Sequence, residues 1–142
     1  MTYQNIAREY LKQVQTADVE IIVNRYRQEE LLTIAEQCGA IIIGDRVQSM
    51  PKDETMADAV ELLIEEQRKV SARIDYWLEV KKDAVNQIAG LEDDKYKEVL
   101  YRRYIMRMRF RKVAKKMNYS EDHIMTLHRN ALDELGRRLS DD

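Results

Sequence analysis

Val113-Ala114-Lys115-Lys116-Met117-Asn118-Tyr119-Ser120-Glu121-Asp122-His123-Ile124 reads as two helices joined by a tight turn. Ala114 is a small residue placed where two helices must cross closely. Four residues on stands Asn118, one of the few non-glycine types that tolerates the left-handed backbone of a sharp helix exit. Ser120 follows, and its hydroxyl can accept from the free N–H groups that open the next helix. Ile124 then falls on the inner face of that helix and closes against Val113 and Ala114. The spacing predicts helices over 111–117 and 120–139. A helix-turn-helix of this kind offers its second helix to a DNA major groove. The expected partner is therefore double-stranded DNA, and the expected role is binding rather than chemistry.

Working outward, Ile124, Leu127, Ala131, Leu132, Leu135 and Leu139 make one apolar stripe on the last helix. Upstream, Asp93 is a candidate N-cap for a helix reaching about residue 105, with Tyr96, Val99, Leu100 and Tyr104 turned inward. Residues 106–110 form a short irregular piece, where Met106, Met108 and Phe110 alternate with arginines; such residues commonly anchor a loop to the core, and Phe110 is expected to do so.

The N-terminal part lacks turn signals. Only Gly39, Gly44, Pro51 and Gly90 interrupt the interior, which predicts a few long helices. A first helix over about 5–38 carries Tyr10, Val14, Ala17, Ile21, Asn24, Gln28, Leu31, Ala35 and Cys38 at steps of three and four. A connector over 39–52 includes the apolar Ile41-Ile42-Ile43, suited to a short extended piece. A second helix over about 53–89 carries Met56, Val60, Leu63, Gln67, Val70, Ile74, Trp77, Lys81, Ala84 and Ile88 in a coiled-coil-like seam. Folded back on each other, the two give an antiparallel hairpin, and one register sets Gln28 beside Gln67. The fold class is all-α: a long helical hairpin over 1–90, for oligomerisation or partner binding, then a helix-turn-helix domain over 91–142.

Charge is uneven. Residues 1–90 hold 11 Lys/Arg against 16 Asp/Glu, whereas 91–142 hold 13 against 10. Over 95–118 there are ten basic residues and one acid, Glu98. A basic block inside an acidic chain is an electrostatic footprint for a polyanion. No apolar run approaches the roughly 18 residues of a membrane span, and the first residues lack a signal-peptide pattern. With the lone Cys38, these features lead to the expectation of a cytoplasmic protein. His123 and His128 lie five apart on one helix, a poor spacing for zinc, and the carboxylates show no metal-ligand pattern. No metal, cofactor or enzymatic activity is expected.

Tyr96-Lys97-Glu98-Val99-Leu100-Tyr101-Arg102-Arg103-Tyr104, Lys112 to Ser120, and Asn130-Ala131-Leu132-Asp133-Glu134-Leu135 together resemble the promoter-reading C-terminal domain of bacterial sigma factors. With Asp45-Arg46-Val47-Gln48-Ser49-Met50-Pro51 upstream, the chain is similar to phage and mobile-element late transcription regulators of the ArpU/RinA type, over about 40–139. The resemblance implies a sigma factor-like regulator of phage or mobile-element genes, acting at promoters with RNA polymerase in a bacterial host cell. On that reading Arg107, Arg109, Arg111, Lys112, Lys115 and Lys116 contact phosphates, and Ser120 caps the reading helix. Glu121, Asp122, Met125 and Thr126 face base edges, with His123, His128, Arg129 and Asn130 as further donors. The acids depart from the sigma pattern, so the promoter sequence read by sigma factors does not carry over. The hairpin is expected to form a homodimer. Two alternatives remain open: a DNA-packaging subunit like a small terminase, and a protein-interaction module that has lost DNA binding.

Overall fold

The computed structural model describes residues 2–37, 42–43, 46–47 and 54–141, with side chains in the second long helix described from Ala57 on. Helix α1 spans Tyr3–Gln37 and α2 spans Glu54–Ala89. Between them, β1 (Ile42–Ile43) and β2 (Arg46–Val47) pair antiparallel, Ile42 opposite Val47. Then follow α3 (Asp94–Leu100), a π-helix over Tyr101–Ile105, α4 (Phe110–Met117) and α5 (Glu121–Asp141). Among the described residues, every regular element is thus helical except for that short pair of strands. Expectations that fall on Cys38, Gly39, Pro51 and the Met56 side chain lie outside the described residues.

The local signals explain the helix ends. Thr2 Oγ1 accepts from the Asn5 N–H at 3.2 Å and opens α1 two residues earlier than the apolar pattern does. Asp93 caps α3 as expected: its carboxylate accepts from Lys95 N at 2.8 Å and from Tyr96 N at 3.3 Å. The helix expected to run on to residue 105 changes pitch at Tyr101, and the Met106 N–H reaches back to the Tyr101 carbonyl at 3.0 Å.

Two compact units emerge. One joins residues 1–17 to 79–142, and the other comprises 18–78. The division differs from the expected boundary at residue 90. Gly90 ends α2 but separates nothing in packing, because Ala7 and Leu11 of α1 and Ile88 of α2 share one core with Val99, Leu100, Val113, Ile124, Leu132 and Leu135. Each of these Leu, Ile and Val side chains contributes about 1.5–3 kcal/mol on leaving water, before its lost conformational freedom is subtracted. Gly136 lets α5 approach the start of α1, since a Cβ there would meet the Tyr3 carbonyl.

The second unit centres on Leu31, Val70 and Ile74, with Leu63 against them. Its register corrects the expected amide pair. Gln28 Nε2 donates to Ser71 Oγ at 3.3 Å, one helical turn beyond Gln67, whose buried Oε1 accepts from no described residue. Asn24 is buried in the seam and satisfies itself, donating to the Glu20 carbonyl at 2.6 Å. In the first unit Tyr10 donates to the Asp83 carboxylate. Lower numbers on α1 meet higher numbers on α2, so the two helices run antiparallel, as the seams predict.

Candidate functional site

Helix α4 is two-sided. Val113 and Ala114 are buried, while Arg111, Lys112, Lys115 and Lys116 are exposed on the other side. Asn118 ends it in the left-handed conformation, φ 60° and ψ 43°. The Tyr119 N–H then closes on the Ala114 carbonyl at 3.0 Å. Ser120 Oγ accepts from the His123 N–H at 3.1 Å, which satisfies a donor at the start of α5. A three-residue turn therefore fixes the direction of α5 relative to α4. The apolar side of α5 (Ile124, Leu127, Ala131, Leu132, Leu135) is buried.

The opposite side of α5 presents the residues that the sequence picks out. Glu121, Asp122, His123, Met125, Thr126, Arg129 and Asn130 are all exposed along its first half. Thr126 Oγ1 is partly engaged, donating to the Asp122 carbonyl at 3.2 Å. His123 sets its ring edge against Tyr119, with centroids 4.6 Å apart. Arg107 and Arg109, before α4, are exposed as well. Arg107 adopts φ 59° while the Met108 N–H bonds the Arg102 carbonyl at 3.0 Å. Arg109 is extended and leads directly into α4.

Several cations elsewhere are paired, whereas those of α4 are not. On the long helices, Arg27, Arg68, Lys69 and Lys82 each lie beside a glutamate three residues away. Among the described residues, Arg109, Arg111, Lys112, Lys115 and Lys116 make no ion pair. Their positive field is left to the solvent side.

One expectation is corrected. His128 is no reading residue: it is 4% exposed. Tyr104 Oη sits 2.7 Å from its Nε2, and the Phe110 ring meets it edge-on at 4.8 Å. Burial pushes its pKa down to about 4, and the charges of Arg8, Arg103 and Arg129 act in the same direction. The signal was present, because residue 128 lies one turn from Ile124 on the buried stripe. Met106 is half exposed, whereas Met108 is buried and Phe110, as expected, packs against the core under the Arg103 guanidinium, 4.2 Å from its ring centre. Sequence reasoning also missed Arg8, Lys12 and Arg103, which line a cavity with Arg107. Arg8 and Lys12 stand one turn apart on α1, but nothing local brings them to Arg103.

Residues 44–136 match a family described as a protein of unknown function, DUF1492. The chain belongs to the DUF1492 family. The matched stretch begins in the connector, takes in all of α2 and ends in α5. The DUF1492 unit therefore includes both sides of the α4–α5 turn and the basic residues before it, while α1 lies outside it. Comparison with curated proteins and with solved structures gives no match.

Proposed function

We propose that this protein is a sequence-specific DNA-binding regulator of transcription, with α4 and α5 acting as a sigma-like helix-turn-helix. The observation that carries the reading is the row of unpaired cations on α4, joined by a fixed turn to a helix whose exposed side is polar. On this reading α4 lies across the phosphate backbone and α5 enters the major groove. Glu121 and Asp122 can accept from cytosine N4, Met125 and Thr126 can touch a thymine methyl, and Arg129 and Asn130 donate to purine edges. The resemblance to ArpU/RinA-type regulators gives the setting: promoters of phage or mobile-element genes, in company with RNA polymerase. The described helices include none long and apolar enough to cross a membrane.

The two kinds of contact separate by mutation. Lys115→Ala should weaken binding alike on a specific site and on random duplex, and should reduce the salt slope by about one contact. Arg129→Ala should cost about 1–3 kcal/mol on the specific site and little on random DNA. Fluorescence anisotropy on both duplexes measures this, and equal losses for Arg129→Ala would remove its base-reading role.

A second reading has its own support. Glu121 and Asp122 stand exposed at the end of α5 that would meet DNA, and phosphates repel carboxylates. A protein-interaction module that has lost DNA binding would show no salt-dependent affinity for any duplex.

A further inference from the structure

A separate basic cluster is built by α1 and the π-helix. Arg8, Lys12, Arg103 and Arg107 converge on a cavity of about 320 Å³, with Gln15 and Tyr104 also on its wall and no carboxylate among the lining residues. Arg8 and Lys12 share one side of α1, one turn apart. Arg103 is held in place from two directions. Its Nη1 donates to the Met108 carbonyl at 3.0 Å, and its guanidinium lies over the Phe110 ring. Arg107 is set by a left-handed backbone, φ 59°, which residues bearing a side chain seldom adopt. The π-helical turn that carries Arg103 and Tyr104 is itself of a kind frequent at functional positions.

The like charges of Arg8, Lys12 and Arg103 around one hollow repel each other, and an anion between them reverses the sign of that energy. The volume falls at the small end of ligand pockets, which run from roughly 300 to 1,000 Å³. Arginine forks and a lysine point charge suit the tetrahedral oxygens of phosphate. We propose that this cavity is a phosphoryl-binding site, with Arg8, Lys12, Arg103 and Arg107 as its cationic wall. The chemistry is that of a phosphate or pyrophosphate group, carried either by a free phosphoryl compound or by a nucleic-acid backbone. The site does not depend on the reading of α4 and α5; Arg107 is the residue they share.

The test uses the full chain and inorganic pyrophosphate in a calorimetric titration. The native protein should bind. The double variant Arg8→Gln/Lys12→Gln should lose about tenfold or more in affinity. Lys69→Gln, an equal loss of charge on α2 per site, should change nothing. The charge-keeping pair Arg8→Lys/Lys12→Arg should restore binding and so separates lost contacts from lost folding. Random duplex, titrated in parallel, identifies the source. If the double variant weakens pyrophosphate and duplex together, the group is a backbone phosphate. If it weakens pyrophosphate alone, the ligand is a free phosphoryl compound. No binding by the native protein, or equal binding by the double variant, overturns the proposal.

Discussion

His128 shows how one residue changes meaning between sequence and structure. Read locally, it is a donor near the start of a recognition helix. In the fold it is a neutral core side chain hydrogen-bonded to Tyr104, with three arginines acting on it. That burial makes stability depend on pH. An unfolded histidine takes its proton near pH 6.5, whereas the folded ring takes it near about 4. Between those values the unfolded chain binds the extra proton. The stability held above pH 6.5 is therefore lost as the pH falls toward 4, at no more than about 1.4 kcal/mol per pH unit from this group. Urea unfolding at pH 7 and pH 5 should show the loss, and His128→Gln should flatten it. The same pH dependence in both proteins would contradict the assignment. The exposed candidates, by contrast, were legible one by one: charge and helical phase place Lys115, Lys116 and Arg129 outward without tertiary knowledge.

At the scale of elements, the turn was readable and the register was not. Asn118 and Ser120 act on backbone groups within four residues, so their chemistry is complete in the sequence. The α1–α2 register is set by how Leu31, Val70, Ile74 and Leu63 interlock, and pairing like amides put Gln28 one turn away from its partner Ser71. The π-helix had no visible signal either. Close approach of α5 to α1 rests on Gly136, which local reading treats as an ordinary helix position. Gly136→Ala would push against the backbone of Tyr3 and should destabilise by about 1–3 kcal/mol. Gly90→Ala should cost less, because the group in its way is the end of the flexible Arg138 side chain. Chemical denaturation of both variants checks the order; the reverse order would contradict the packing of α1 on α5.

For the whole molecule, the all-helical class and the two long antiparallel helices followed from steps of three and four. The compact units did not, because a helix break at Gly90 says nothing of what packs across it. A second apolar row on α1, formed by Val19, Ile22, Val23 and Tyr26, is 55–67% exposed, opposite the seam that meets α2. Its spacing of three, four and seven suits a second copy of the same helix. A homodimer of the 16.9 kDa chain is expected in light scattering, reduced to monomer by Ile22→Glu. A monomeric native protein would contradict it, and a ring of about eight or more subunits would favour DNA packaging. The claim on which the functional account rests is that the unpaired cations of α4 meet phosphate. It is tested most directly by titrating random duplex DNA at a series of salt concentrations. The affinity should fall steeply with salt, with a logarithmic slope of about −3.6 if the four exposed cations of α4 each neutralise one phosphate. A duplex affinity that is absent at low salt, or indifferent to salt, would contradict it.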